Sequence, residues 1–329
     1  MDLLWLINLG INTLIKILPA LLFLIVFPLI GVWYERKLLA RVMLRIGPLH
    51  VGKYAGWLQL IADFLKLEAK EIIIPAKSNK NIFIAAPIAA MVVSSIPLAV
   101  IPFDNNTVVF KFDLNLLFVF AMASLVPLVI LLTGWASNSK YSFFGGLRIV
   151  FQMLAYEIPL ILSVLGVVVL TRSFDLVQIS NAQSKIWFGL IQPLGLLVFF
   201  IATIAELERL PFDIPTAEQE IVIGWMTEYT GLPFGLFMMS GYICFGVHSL
   251  LITIIFLGGW SGPAFLPPMA WLMLKVVIVA TLIMVMRGTY PRVRLDQLLK
   301  FGWQILIPLA VINILWSILI SPIVLGVLA

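Results

Sequence analysis

The sequence predicts an all-α integral membrane protein of about eight transmembrane helices, and three observations carry that expectation. The 329-residue chain is 62% hydrophobic and 11% charged, with a mean hydropathy of +1.11, whereas soluble domains hold about 25% charged residues. Its apolar runs recur, each about 18 residues or longer, enough for a helix to cross a hydrocarbon core about 30 Å thick. None shows the alternate-residue pattern of a barrel strand, and lipid cannot satisfy an open backbone.

The spans are placed at about 11–33, 81–101, 115–135, 148–171, 187–206, 234–257, 268–287 and 303–326. The first follows no basic segment and no small-residue cleavage site, so it reads as a retained span. Between spans one and two, residues 34–80 are too few for a typical soluble domain and carry apolar residues of their own. There Gln59, Asp63, Lys66 and Lys70 recur on one helical face and Trp57, Ile61, Phe64 and Leu65 on the other, the pattern of an interfacial amphipathic helix. Plain lipid anchoring and lining a ligand entrance both suit it. Prolines inside spans, among them Pro19, Pro28, Pro87, Pro159 and Pro308, each remove a backbone donor and invite a kink. The chain reads as one polytopic membrane domain, 1–329, with connections at about 34–80, 136–147, 207–233 and 288–302 on one side.

Those four connections hold most of the bases: Arg36, Lys37, Arg41, Arg45, Lys53, Lys66, Lys70, Lys77 and Lys80, then Lys140 and Arg148, then Arg209, then Arg287, Arg292, Arg294 and Lys300. The opposite side has only Lys111, Arg172 and Lys185, so the positive-inside rule faces the four basic loops to the cytoplasm and puts both termini outside. The net charge of +5 therefore expresses topology, and no nucleic-acid partner is implied. The single cysteine, Cys244, provides neither a disulfide nor an iron–sulfur or zinc cluster, and His50 and His248 lack ligand-like neighbours in sequence. No metal site is expected in this chain.

Acid is concentrated in one place. Of the 16 Asp and Glu residues, six (Glu206, Glu208, Asp213, Glu218, Glu220 and Glu228) fall within 205–231, against one base, Arg209. Pro211 and Pro215 end the fifth span, and Thr216 with Gln219 has the spacing of a capping box for a short new helix. On such a helix Glu220, Gly224 and Glu228 stand four residues apart, so both carboxylates share a face with space between them. Crowded carboxylates in a poorly solvated place cannot all ionise, so a proton-passing row is the reading. A solvated acidic loop docking a basic partner is the alternative. Glu157 and Lys275 fall within spans, where an unpaired charge costs at least a few kcal/mol. Glu157 reads as a proton relay or cavity-lining group. Together the two also suit a midplane site of a stand-alone secondary transporter.

Several motifs then stand in one order: Glu35-Arg-Lys-Leu-Leu-Ala40 and Arg45-Ile-Gly-Pro48; Gly52 through Gly56 and Gln59; Ala62-Asp63, Lys66-Leu67 and Lys70-Glu71; Gly134-Trp-Ala-Ser-Asn-Ser-Lys-Tyr141; Tyr156-Glu-Ile158; the acidic stretch; and Arg287 to Gln297. Over nearly its whole length the chain resembles the quinone-channel membrane subunit of respiratory complex I, the proton-translocating NADH:quinone oxidoreductase. The resemblance implies eight transmembrane helices and a tunnel in which a lipid-soluble quinone approaches an iron–sulfur cluster held by a neighbouring subunit, with no metal or flavin on this chain. It implies that Glu35, Arg36, Arg45, Asp63 and Arg294 line or support the tunnel. Glu157, Glu206, Glu208, Asp213, Glu218, Glu220 and Glu228 would carry the acidic path to proton-pumping, antiporter-like subunits. Partners would be peripheral-arm iron–sulfur subunits at the cytoplasmic loops, other membrane subunits and lipid, in a prokaryotic inner membrane or equivalent energy-coupling membrane. The family usually has Asn at the position of Glu208 and Glu at that of Thr216, so the carboxylate count is kept while its placement shifts. Leu49, Ile72, Leu295 and Gln304 also depart from its pattern. Membrane-bound hydrogenases use a similar subunit, but tend to lack the segment from Gly52 to Gln59.

Overall fold

A computed structural model describes residues 3–52, 55–105 and 107–328, with side chains described for all of these except 3–15, 218 and 323–328. Lys53 and the side chain of Glu218, both singled out in the sequence, lie outside the described residues. Among the described residues fourteen α-helices follow one another: α1 (Leu3–Val42), α2 (Gln59–Ala69), α3 (Lys80–Ser95), α4 (Asn115–Ala123), α5 (Leu125–Ala136), α6 (Lys140–Thr171), α7 (Leu176–Ala182), α8 (Phe188–Ile191), α9 (Pro193–Glu206), α10 (Glu218–Ile221), α11 (Leu232–Phe256), α12 (Pro268–Thr289), α13 (Leu295–Phe301) and α14 (Ile307–Leu328). Among the described residues, seven continuous or nearly continuous helical segments are long and apolar enough to cross a membrane. The chain is an all-α, multi-pass membrane protein.

An eighth apolar segment is divided. One span was expected over 187–206; instead α8 stops at Ile191 and α9, with Pro193 at its start, runs only 14 residues, about 21 Å of helix. The break falls at Gln192, which is fully buried. Its Nε2 donates to the Gly166 carbonyl (3.0 Å) and to Ser317 Oγ (2.7 Å), so the amide nitrogen at the interruption is satisfied inside the bundle.

Two helices outrun the membrane. At 40 residues α1 is about 60 Å long, roughly twice a hydrocarbon core, so Glu35 and Arg36 stand on a helix and not in the loop assigned to 34–80. Likewise α6 starts at Lys140, inside the connection expected at 136–147, and α13 starts at Leu295, inside that expected at 288–302. Length past the bilayer carries no hydropathy signal, which is why the sequence drew these helices too short. The most enclosed span is α11. A Cβ added at its Gly246 would come within 2.8 Å of Phe23 and Phe27 of α1, so α11 seats against α1 where a larger side chain has no room.

The amphipathic helix lies where the sequence put it. α2 has no buried residue, and Trp57, Ile61, Phe64 and Leu65 remain exposed. It is tied to α1 by an Arg36–Asp63 ion pair, steadied by Gln59 Nε2 donating to Asp63 (2.8 Å), and by Trp33 stacked on Trp57 at 4.5 Å.

Candidate functional site

The chain leaving α9 turns sharply. Glu208 takes a positive φ of 52°, which ends the helix within two residues of Glu206. Gln152, fully buried on α6, clamps the turn: its Nε2 donates to the carbonyls of Ala205 (2.7 Å) and Phe212 (2.9 Å). Val293 N donates to the Pro211 carbonyl (3.0 Å), bringing in the segment after α12. Asp213, just beyond the end of α9, is thus faced by Arg292 from that segment.

Glu35 is the centre of the arrangement. Its side chain, 2% exposed, receives Arg209 at 2.5 Å, Arg287, and the hydroxyl of Tyr242 at 2.9 Å. The Arg209 guanidinium lies over the rings of Tyr242 (5.0 Å) and Phe245 (4.6 Å), so aromatic faces as well as the carboxylate hold the buried cation. Two cations share one anion, which leaves the cluster one positive charge in excess.

Two cavities meet at this cluster. One of about 410 Å³ is lined by Glu35, Arg36, Arg45 and Pro48. The other, about 650 Å³, is lined by Glu206, Glu208, Asp213, Thr216, Cys244 and Arg292. Met238, Tyr242 and Arg287 belong to both walls. Of the remaining residues expected at a tunnel, Asp63 is paired with Arg36 on the α2 side, and Arg294 is exposed at the start of α13, on neither cavity wall.

The acidic row has a different shape from the one expected. Thr216 does not cap a helix: its hydroxyl donates to Asp213, and α10 begins after Ala217 without a side-chain cap. Only four residues long, α10 is broken by positive φ at Val222 and Gly224, so Glu220 and Glu228 do not share the face of one helix. Glu220 is instead exposed and paired with Arg148 at 2.5 Å, while Glu228 is half-buried. Asp213 is held by Arg292 at 3.1 Å. Glu157, half-buried on α6, lies within electrostatic reach of Glu206.

Lys275 is already committed. Its ammonium donates to the carbonyls of Leu257 (2.7 Å), Gly259 (3.0 Å) and Ser261 (2.8 Å) and sits 4.8 Å over Trp187, closing the turn between α11 and α12 at the end of α12 opposite Arg287. It makes no midplane pair with Glu157.

Sequence reasoning passed over His248. It is 4% exposed, and its Nε2 lies 3.0 Å from Glu206 Oε2. Gly241, Cys244 and His248 recur at helical spacing on α11, and the first two line the larger cavity; that stripe of small and polar residues in an apolar helix is the signal that was available. Among the described residues no group of three or more His, Cys, Asp and Glu is placed to hold a metal ion.

Burial pushes the Glu208 carboxyl up to about 8, with nearby Asp213 adding to the rise and a hydrogen bond from Trp225 Nε1 (3.4 Å) opposing it. The folded chain then keeps a proton that the unfolded chain releases near pH 4.3, so stability falls as pH rises from about 4.3 to about 8, by roughly 1.4 kcal/mol per pH unit in that window. Glu208→Gln is expected to flatten this slope and to raise the unfolding midpoint most at alkaline pH. Midpoints measured across the window in detergent check it, and parallel pH curves for the two proteins contradict it.

A family model described as NADH dehydrogenase matches residues 15–318. The chain is 45% identical over 293 residues to an H-type subunit of the NADH-quinone oxidoreductase of Syntrophobacter fumaroxidans, covering 86% of this chain and 88% of that protein. It is 45% identical over 294 residues to the H-type subunit of the NADH-quinone oxidoreductase of Bacillus mycoides, covering 88% of each. The homologous protein of Bacillus cereus is 44% identical over the same length.

Proposed function

This chain belongs to the NADH dehydrogenase family, and we propose that it is the subunit of a complex I-like NADH:quinone oxidoreductase that binds the quinone and passes its reduction on as a proton displacement. One observation carries this reading: the Glu35–Arg209–Arg287–Tyr242 cluster stands in the wall between a cavity lined by α1 and the segment that follows it and a cavity lined by carboxylates. A quinone headgroup occupies the first cavity, near Glu35, Arg36 and Arg45, with α2 lying on the membrane surface beside it and Arg294 supporting the roof. The electrons come from an iron–sulfur cluster of a neighbouring subunit; this chain contributes no redox centre.

What the chain supplies is charge that responds. When reduction makes the headgroup more basic, the excess positive charge of the cluster is drawn toward it, and Arg209 and Arg287 are the groups free to share Glu35 unequally. Because Arg287 and Tyr242 also face the second cavity, Asp213, Glu208 and Glu206 experience the change, and a proton shifts along them toward Glu157 and the antiporter-like partners. Glu218, Glu220 and Glu228 lie further along the same loop and belong to its outer part. The subunit sits in the energy-coupling membrane with its basic loops, and the peripheral arm, on the cytoplasmic side.

The test uses the whole complex in liposomes with NADH and a short-chain quinone. Asp213→Asn, which weakens the grip of Arg292 on the cavity wall, is expected to lower coupled turnover by about tenfold or more, in preparations matched for NADH oxidation by a soluble acceptor. Glu220→Gln breaks only an exposed ion pair, worth up to about 1 kcal/mol, and is expected to change turnover by less than about fivefold. An assembled Asp213→Asn complex with full coupled turnover would falsify the reading.

A further inference from the structure

His248 has no assigned part, yet its geometry fixes how many protons its neighbourhood holds. Nδ1 lies 2.8 Å from the Cys244 carbonyl oxygen. A carbonyl only accepts, so Nδ1 carries a hydrogen, and the neutral ring then presents a lone pair at Nε2. That lone pair faces Glu206 Oε2 at 3.0 Å, and this oxygen has no other polar partner among the described residues. Two acceptors do not rest at that distance without a hydrogen between them. Their side chains are 5% and 10% exposed, and burial disfavours any net charge on the pair. With one proton the pair is neutral overall, whether that proton sits on oxygen or on nitrogen. With none or two it is charged.

We infer that Glu206 and His248 together hold one exchangeable proton and form the storage station of the proton path, His248 being its inner half. The inference rests on the function proposed above. Glu206 lines the larger cavity whereas His248 does not, so exchange with the cavity passes through the carboxyl. The internal step breaks the Glu206 O–H bond as the His248 Nε2–H bond forms, and no electron moves. The titratable groups coupled to the pair are Glu157 on α6 and Cys244 one turn earlier on α11, and Glu208, beyond α9, faces Cys244 in turn. From α1 the facing groups near this level are Phe23 and Phe27, which carry no charge. A negative charge arriving near Glu157 favours keeping the proton; its removal favours release.

The experiment compares the assembled wild-type complex with His248→Phe, which has no proton site, His248→Gln, which keeps a hydrogen-bonding group but does not exchange a proton near neutrality, and Glu206→Gln. In liposomes, NADH-driven reduction of a short-chain quinone and the accompanying proton movement are followed across pH. Both His248 variants are expected to lose coupled turnover by about tenfold or more and to shift the pH profile. The Glu206→Gln, His248→Phe double variant is expected to lose no more than either single variant, as members of one unit do. Wild-type turnover and pH profile in His248→Gln overturn the inference, because a hydrogen bond alone then suffices. Infrared spectra titrated with pH on the same preparations count the proton whether or not quinone is reduced. A carboxyl step lost in Glu206→Gln and displaced in His248→Phe supports the shared proton, and an unmoved step in His248→Phe overturns it. Failure of the wild-type complex to reduce quinone counts against the proposed function alone.

Discussion

Glu35→Gln is expected to destabilise the subunit by about 3–5 kcal/mol, the cost of breaking a buried ion pair by removing one partner. The carboxylate is 2% exposed and Arg209 is 9% exposed, so solvent cannot take over the cation that is left behind. Arg287 is 39% exposed and recovers hydration, so most of the loss belongs to Arg209. The rings of Tyr242 and Phe245 keep Arg209 where it is and prevent it from turning to water. Amide nitrogen at position 35 adds a donor to a place that already has three. Thermal unfolding of the solubilised complex measures the change. Combining Glu35→Leu with Arg209→Met removes both charges and is expected to recover much of the stability while leaving quinone turnover low, since apolar replacement of a buried pair is often close to neutral. An unchanged midpoint in Glu35→Gln contradicts the central place given to this carboxylate.

The fold was legible because lipid imposes one rule on every span, and a run of apolar residues meets it in plain view. Two things were hidden. The ends of α1 and α6 extend into water or toward partners, where hydropathy says nothing of helix length, and the fifth span depends on Gln192 finding Gly166 and Ser317, a contact across 125 residues of chain. At the site, the acidic stretch announced itself by composition, since carboxylates are rare in this chain. Its partners did not: Glu35 meets Arg287 across 252 residues, and nothing local marks the two as a pair. His248 showed no ligand-like neighbour in sequence because the residue facing it, Glu206, comes from another helix. The expected row of Glu220, Gly224 and Glu228 failed for a local reason. Helical spacing was projected through Val222 and Gly224, whose positive φ values break the helix.

That glycine gives the second large effect. Gly224 has a φ of +61° and approaches the Pro215 carbonyl so closely that an added Cβ overlaps its oxygen. From the other side, Gly145 of α6 packs on the same turn; a Cβ there would lie 2.9 Å from Gly224 Cα and 2.6 Å from Trp225 N. The turn is therefore held between two backbones. Gly224→Ala incurs about 1–2 kcal/mol for the left-handed conformation, and the overlap adds to it unless the loop moves. Moving it separates Trp225 from Phe237, now edge-to-face at 4.8 Å, and from Glu208. The expected total is about 3 kcal/mol or more, the range in which strain at a special backbone position combines with lost core contacts. Gly145→Ala is expected to act in the same direction through the same turn, and the double variant to lose less than the sum of the two. Gly241→Ala is the contrast: a Cβ there meets nothing within 4 Å, and alanine in a helix gains up to about 1 kcal/mol over glycine. Thermal midpoints and limited proteolysis between Pro211 and Gly231 measure all four variants. If Gly224→Ala resists protease as the wild type does and unfolds at the same temperature, the turn is not the support on which Glu208, Trp225 and the wall of the larger cavity depend.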